Sequence, residues 1–183
     1  MGDRPHLHMF VGPMFSEKTT KLICSLRRDA RRGYPVSAFK ARLDTRYDSD
    51  FITTHDKIKF PATVVSNGRQ LDDAISNSDC QVFGVDELFL IDGASEVILK
   101  HFINGKSFYI SSIQISASGN VFDEVQALLP YATGIDLCKA VCSKCGEDAL
   151  YTEKKVSDLD EIAVGGAELY SPACFKHFSG WDV

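Results

Sequence analysis

The chain has 183 residues, of which 44% are hydrophobic and 25% are charged, and its formal net charge at pH 7 is −5. This composition is ordinary for a globular protein, and the length suffices for one domain with a sizeable core and a small appendage. The acidic balance argues against a broad surface for nucleic acid or anionic membrane, because both kinds of surface depend on basic side chains.

The distribution of hydrophobic residues along the sequence predicts the cellular location. The sequence contains no apolar run of the roughly 18 residues that a membrane-spanning helix requires. Residues 1–5 also lack the hydrophobic stretch of a secretory signal. We therefore expect a cytoplasmic protein, in which the six cysteines are thiols or metal ligands rather than disulfides.

The first predicted elements are a buried strand, a turn and a long helix. Residues 6–11 form an apolar run, residues 12–16 contain glycine and proline, and apolar residues recur at helical spacing over residues 17–32. Gly33 is suited to ending that helix. A second strand is expected at residues 36–40.

Strands and helices continue to alternate through the middle of the chain. After a polar stretch at 41–60, interpreted as a functional loop or a flexible insertion, strands are predicted at 63–65, 81–85 and 107–113 and helices at 70–76, 94–103 and 121–129. Such alternation predicts an α/β fold, with a largely parallel sheet and flanking helices. We expect residues 1–135 to form this domain, with ligands bound at the carboxyl ends of its strands.

After residue 135 the pattern changes to cysteine pairs and polar turns, so a small second lobe is expected over residues 136–183. One pair is Cys142 with Cys145, and the other is Cys174 with His177. Two such pairs supply the four ligands of a tetrahedral zinc site that leaves no position for water or substrate. The pattern therefore predicts a structural zinc ion.

The other three cysteines have different interpretations. Cys138 is close enough in sequence to be an alternative ligand. Cys24 and Cys80 fall in apolar helix and strand patterns, which favours core thiols.

The chemistry of the first domain is concentrated at the turn after the first strand. The pattern G-x-x-x-x-G-K-[ST] binds phosphates through backbone N–H groups, places a lysine on the outer phosphates and a hydroxyl on magnesium. Gly12, Lys18 and Thr19 match this pattern, whereas Glu17 replaces its second glycine. A carboxylate therefore stands beside the predicted phosphate site.

An acidic pair, Asp86 and Glu87, follows the predicted strand at 81–85. Phosphoryl transfer needs an acidic residue that organises magnesium and a group that orients the attacking oxygen. Asp86 is suited to the first task, and Glu87 is suited to act as a general base. Without Lys18 and Thr19, this pair would be interpreted as the start of a loop. Together with them it indicates a kinase-type site.

Six motifs in one order resemble those of the zinc-containing thymidine kinases. They are Gly-Pro-Met-Phe-Ser-x-Lys-Thr-Thr at 12–20, Asp44-Thr45-Arg46-Tyr47, Thr54-His55-Asp56, Val85-Asp86-Glu87, Ala140-Val141-Cys142-x-x-Cys145 and Gly165-Gly166-x-Glu168-x-Tyr170. The resemblance covers residues 6–178. It implies transfer of the γ-phosphate of ATP to the 5′-hydroxyl of thymidine, a zinc-held lobe with a lasso-like loop over the nucleoside, and usually a tetramer.

The resemblance also implies roles for individual residues. Glu87 would be the catalytic base. The groups that serve the phosphates and magnesium would be Gly12, Lys18, Thr19, Asp86 and Arg46. The nucleoside pocket would be lined by Met14, Asp44, Ile113, Ala117, Thr152 and Tyr170. The cofactors implied are Mg-ATP and a structural zinc ion held by Cys142, Cys145, Cys174 and His177.

Three positions differ from the family pattern. Glu17 replaces a glycine, Phe89 stands in place of a glutamine, and Ala117 stands in place of a phenylalanine that stacks on the base. At an effective dielectric near 20, a like-charge contact at 4 Å costs about 4 kcal/mol, so Glu17 opposes a polyphosphate. Loss of a stacking platform is worth about 1–3 kcal/mol per base, so Ala117 weakens the nucleoside side.

Two functions remain open at this point. One is a working kinase that converts thymidine to thymidine monophosphate. The other is a catalytically weak or inactive kinase-like domain with an assembly or regulatory role, associated with an active copy. A zinc-ribbon protein that binds nucleic acid is disfavoured by the acidic composition.

Overall fold

The computed structural model describes residues 5–44, 50–155 and 165–181. Its elements, in chain order, are β1 (Leu7–Val11), α1 (Lys18–Arg31), β2 (Val36–Ala41), β3 (Phe51–Thr53), β4 (Lys59–Pro61), β5 (Thr63–Val65), α2 (Gly68–Ser76), β6 (Val82–Asp86), α3 (Ala94–Ile103), β7 (Ser107–Ser112), α4 (Asp123–Leu128), β8 (Gly134–Leu137), β9 (Ala140–Val141), β10 (Asp148–Ala149), β11 (Tyr151–Lys154) and β12 (Tyr170–Ala173). Among the described residues, the helices are too short or too polar to span a bilayer.

Six strands form one parallel sheet in the order β5-β2-β6-β7-β1-β8. This confirms the predicted α/β fold with a largely parallel sheet and flanking helices. The sequence pattern did not predict β8, which pairs with β1 and carries the sheet to Leu137, past the expected start of the second lobe at residue 136. The division into two lobes stays a prediction.

Side chains alternate along β1, so this strand contributes to two hydrophobic cores, one on each face of the sheet. Leu7, Met9 and Val11 pack into the larger core, beneath α2, α3 and α4. Phe10 points the other way, into the core beneath α1. On that face, a Cβ on Gly84 of β6 would lie 2.6 Å from Leu26 Cδ1, so the glycine lets α1 lie close to the sheet. This close packing holds the middle of α1 against the sheet.

The polar stretch at 41–60 contains a hairpin that was not predicted. Strands β3 and β4 pair antiparallel, and the buried Ile52 packs into the core beneath α1. Thr54 and His55 lie in the turn that connects these two strands. Residues 45–49, which include Arg46, lie outside the described ranges.

Glu124 of α4 caps the first turn of α3. Its two carboxylate oxygens accept hydrogen bonds from the backbone N–H groups of Gly93 at 2.7 Å and Ser95 at 2.6 Å. These are among the N–H groups that a helix itself leaves unsatisfied. The contact therefore joins two helices of the larger core.

We expect Glu124→Ala to lower the free energy of unfolding by about 1–2 kcal/mol, because capping residues and buried hydrogen bonds contribute this much. Equilibrium urea denaturation measures the change. Gln126→Ala, at an exposed position of the same helix, is the control and should leave stability within about 0.5 kcal/mol. Equal stability of the two variants would contradict the capping role.

Candidate active site

Three neighbouring strands bring functional side chains to one edge of the sheet. The chain leaves β1 for α1, β6 ends in Asp86, and β7, which lies between them, ends in Ser111 and Ser112. Thr19 Oγ1 donates a hydrogen bond to Asp86 Oδ1 at 3.1 Å, and Ser111 Oγ donates to the same oxygen. Asp86 is only 4% exposed, so these two hydroxyls fix its carboxylate at the start of α1.

The loop between β1 and α1 curls around one carbonyl oxygen. Ser16 Oγ and Lys18 Nζ both donate to the Pro13 oxygen, at 2.8 Å and 2.6 Å. At the start of the loop, a Cβ on Gly12 would clash with the carbonyl oxygen of Cys138. Glycine is therefore required there by the close approach of the chain that leaves β8.

Two residues of this loop have left-handed backbone although they are not glycine. The φ angle is 65° at Phe15 and 60° at Glu17. Such a conformation costs roughly 1–2 kcal/mol per residue because Cβ crowds the following carbonyl oxygen. Glu17 therefore carries strain in addition to its charge, which explains in backbone terms why a glycine suits this position.

The loop borders a cleft of about 190 Å³. The lining consists of Met14, Phe15, Glu17, Lys18, Thr19, Thr20, Asp44, Thr53, Thr54, His55, Asp56, Asp86 and Glu87. Five of these residues are acidic and one is a lysine. Negative charge is therefore in excess among the described lining residues, and a divalent cation bound together with a polyphosphate would offset it.

Glu87 lies in this cleft in an unusual backbone conformation. Its φ angle is 53°, and its backbone N–H donates to Ser111 Oγ at 3.5 Å. The residue is 9% exposed. Strained, left-handed positions of this kind are concentrated at functional sites, where the surrounding fold maintains them.

The residues expected at the nucleoside are placed in several parts of the fold. Met14 and Asp44 line the cleft. Thr152 and Tyr170 are buried on the hairpin of β11 and β12, and Thr152 Oγ1 accepts a hydrogen bond from the Met14 N–H at 3.0 Å. Ile113, half-buried, directly follows β7. The lasso-like loop would connect β11 and β12, where residues 156–164 lie outside the described ranges.

Ala117 lies in a turn that packs against the end of the described chain. Ser116 and Asn120 close this turn through a backbone hydrogen bond of 2.8 Å. A Cβ on Gly180 would lie 2.9 Å from the Ala117 carbonyl oxygen. The described lining of the cleft includes neither Ala117 nor Ile113, Thr152 or Tyr170.

The change at Phe89 has a structural explanation. The ring of Phe89 packs against that of Phe122, which precedes α4, with centroids 4.7 Å apart. Its backbone N–H donates to Ser112 Oγ at 3.3 Å. The phenylalanine thus joins the segment after β6 to the larger core, a task that a polar amide would not perform.

The four predicted zinc ligands are brought together, with donor atoms all within 4.8 Å of one another. The Sγ atoms of Cys145 and Cys174 are 3.7 Å apart, and His177 Nδ1 lies 3.6 Å from Cys142 Sγ and 3.3 Å from Cys174 Sγ. A tetrahedron with Zn–S bonds of about 2.3 Å has edges of about 3.8 Å, and the shorter Zn–N bond brings the histidine nitrogen somewhat closer to the sulfur atoms. The donor set therefore fits a structural metal ion of this size.

The environment of Cys142 also suits a metal ligand. Burial acts to raise the pKa of its thiol, but hydrogen bonds from the backbone of Cys174, Lys144 and Cys145 outweigh it and lower the pKa to about 6. Thiolate is the form of cysteine that binds metals.

The positions of the remaining three cysteines agree only in part with the predictions from sequence. Cys138 is buried in the core beneath α1, so it lies apart from the four-ligand group. Cys80 is half-buried against the larger core, as predicted. The prediction for Cys24 was wrong, because its side chain is exposed on α1.

Some residues of the site were missed by sequence reasoning. Ser111 and Thr53 were not singled out, although Ser111 lies at the carboxyl end of a predicted strand and this position was the available signal. Phe15 faces His55 in the cleft, with ring centroids 4.8 Å apart. His55 itself had been noted as a chemical feature of the polar stretch.

Comparison with known proteins identifies the family. The sequence model for thymidine kinase matches residues 5–178. The chain is 30% identical to thymidine kinase a of Arabidopsis thaliana over 178 residues, which is 94% of this chain and 74% of that protein. It is 29% identical to a thymidine kinase of Pyrobaculum aerophilum over 182 residues, which is 94% of this chain and 97% of that protein. The chain therefore belongs to the thymidine kinase family.

Proposed function

We propose that the chain transfers the γ-phosphate of ATP to the 5′-hydroxyl of thymidine, with a nucleotide site that Glu17 weakens. The observation that carries this proposal is the hydrogen bond between Thr19 and Asp86, which lies in one cleft with Lys18 and Glu87. Phosphoryl transfer depends chiefly on positioning and charge, and these side chains supply both.

Each residue has a task in this proposal. Gly12 and Lys18 bind the phosphates, and Arg46 adds positive charge beside them. Thr19 and Asp86 would hold magnesium, which when bound neutralises charge on the transferred phosphate. Met14, Asp44, Ile113, Ala117, Thr152 and Tyr170 form the thymidine side of the site.

Glu87 is the base that accepts the proton of the 5′-hydroxyl. Glu87 lines the same cleft as Asp44 and the phosphate-binding loop, residues 12–17. General bases contribute about 10²- to 10⁴-fold to rate. Further members of the proposal are a structural zinc ion on Cys142, Cys145, Cys174 and His177, a homotetramer, and a cytoplasmic location.

A second candidate is a kinase-like domain with weak or no activity that serves assembly or regulation, beside an active copy. The strained, charged Glu17 at the cleft favours it, as does Ala117 in place of an aromatic ring. The two candidates differ in their response to Mg-ATP. Ligand at 100 times its Kd stabilises a protein by about 2.7 kcal/mol, so clear thermal stabilisation supports the enzyme and its absence supports the second candidate.

We expect Glu87→Gln to lower kcat for thymidine phosphorylation by about 10²- to 10⁴-fold while thymidine binding changes little, because only the proton acceptor is lost. Steady-state kinetics and calorimetric titration measure the two effects. Glu96→Gln, at an exposed position of α3, is the control and should retain wild-type turnover. A Glu87→Gln variant with undiminished kcat would exclude this residue as the base.

A further inference from the structure

Thr152 contacts the phosphate-binding loop from a separate part of the fold. Its side chain is buried, and Oγ1 accepts the Met14 N–H at 3.0 Å. Thr152 lies on β11 and is held in register opposite Pro172 of β12. The position of its hydroxyl is therefore fixed by the hairpin and not by the loop that it contacts.

The loop has a conformation that requires outside support. Met14 directly precedes Phe15, the first of the two residues with left-handed backbone. Ser16 Oγ and Lys18 Nζ both donate to the carbonyl oxygen of Pro13, which is itself part of the loop. Strained backbone persists where surrounding structure over-determines it. The bond from Met14 to Thr152 supplies such a constraint from outside the loop.

The hairpin that carries Thr152 is braced on its other side. Glu153, the next residue, is largely buried and pairs with Lys144 Nζ at 2.8 Å. Lys144 lies between the metal-ligand candidates Cys142 and Cys145, and its Nζ also donates to the His177 carbonyl oxygen at 3.4 Å. β11 therefore connects the four-ligand group to the phosphate-binding loop.

We propose that Thr152 is a positioning residue for the phosphate-binding loop: by holding the Met14 amide, it sets the affinity of the site for the polyphosphate of ATP. This task is distinct from lining the nucleoside pocket. The claim about affinity rests on the proposed function, whereas the claim that Thr152 fixes the loop does not. Each claim therefore has its own measurement.

The first measurement is amide hydrogen exchange, followed by mass spectrometry, on the protein without ligands. Thr152→Val keeps the shape of the side chain but removes the acceptor. We expect exchange in residues 12–17 to become about 5- to 10-fold faster, the change for loss of one hydrogen bond. Thr152→Ser keeps a hydroxyl and should exchange as the wild type does. Unchanged exchange of the loop in Thr152→Val would overturn the proposal.

The same experiment separates positioning from general loosening. A positioning role predicts that peptides covering residues 151–154 and 170–173 exchange at the wild-type rate in both variants. Equal acceleration in the hairpin and in the loop would mean that the valine loosens the lobe as a whole, and this too would overturn the proposal.

The second measurement is calorimetric titration with Mg-ATP in the absence of thymidine. We expect Thr152→Val to bind about 5- to 10-fold more weakly than the wild type, and Thr152→Ser to bind as the wild type does. Weaker thymidine binding with unchanged Mg-ATP affinity would restrict Thr152 to the nucleoside pocket and overturn the claim about affinity. A wild-type protein that does not bind Mg-ATP would contradict the proposed function, and hydrogen exchange would then decide the positioning role alone.

Discussion

Glu17→Gly is expected to increase the affinity for Mg-ATP by about 10- to 100-fold. Two unit charges at 4 Å interact by about 1 kcal/mol in water and about 4 kcal/mol at an effective dielectric of 20. Because Glu17 is exposed at the cleft, its effect should fall between these limits, which correspond to about 5-fold and 1,000-fold. Calorimetric titration of both proteins with Mg-ATP measures the difference.

The same substitution should stabilise the protein in the absence of ligand. Glycine relieves the left-handed strain of about 1–2 kcal/mol but loses about 0.5–1 kcal/mol through the greater freedom of the unfolded chain. We therefore expect a net gain of about 0.5–1 kcal/mol in urea denaturation.

Glu17→Gln separates the two effects, because it removes the charge and keeps the side chain and its backbone strain. It should recover part of the affinity for Mg-ATP and none of the stability. If the wild type and both variants bind Mg-ATP equally well, Glu17 does not weaken the site. Any loss of activity would then be attributed to Ala117 and the thymidine side.

Loss of one predicted zinc ligand is expected to have its largest effect on the region around the four-ligand group. Cys145 is the suitable position because its side chain is exposed, so Cys145→Ser removes a thiolate with little change in packing. Even partners outside the ligand set change metal affinity by about 10- to 100-fold, so loss of a ligand should exceed about 100-fold. Zinc content measured by mass spectrometry should fall from one ion per chain to near zero after dialysis.

Trp181, the chain's one tryptophan, reports on the region around the four-ligand group independently of activity. Its ring packs against Phe175 and Phe178, which flank His177 in sequence, with centroids 5.2 Å and 5.1 Å apart. The ring is already 42% exposed, so zinc loss should change its fluorescence mainly through the loss of these aromatic contacts, with a small shift toward longer wavelength. Cys24→Ser, at the exposed cysteine of α1, is the control. Full zinc content in Cys145→Ser would contradict the four-ligand site.

The sequence predicted most of the sheet because its inner strands each carry several apolar side chains in a short segment, as in LHMFV of β1 and VFGVD of β6. β5 and α3 were predicted with the bounds that the structure shows, and β1, β6 and β7 differ by a residue at one or both ends. β8 was missed because it is an edge strand whose side chains Ile135 and Leu137 are 49% and 52% exposed, so no buried run marks it. The strands β3 and β4 were missed because each has only three residues and both stand within or beside a polar stretch; β4 also contains a lysine and a proline, whereas the three residues of β5 are all β-branched.

The part of the site that could be predicted consists of residues whose type and spacing indicate a specific chemical role. Lys18, Thr19, Asp86 and Glu87 share a motif order, and the structure brings them to one cleft. The left-handed backbone of Glu17 was not predicted, because a glutamate does not itself favour that conformation; the glycine of the phosphate-binding pattern at this position was the available signal. The exposure of Cys24 could also have been predicted from the sequence. Cys24 directly follows the buried Ile23, and consecutive residues of a helix point to different faces.

The pairing of β8 with β1 determines where the chain can be divided. β1 is an inner strand only because Gly134–Leu137 covers its open side along His8–Val11. A fragment that ends at residue 135 would present the backbone of β1, beside the phosphate-binding loop, as an exposed template for strand addition, which is a route to aggregation. Fragments for biophysical work should therefore retain residues through Cys138, whose N–H still bonds to the Val11 carbonyl oxygen at 2.7 Å.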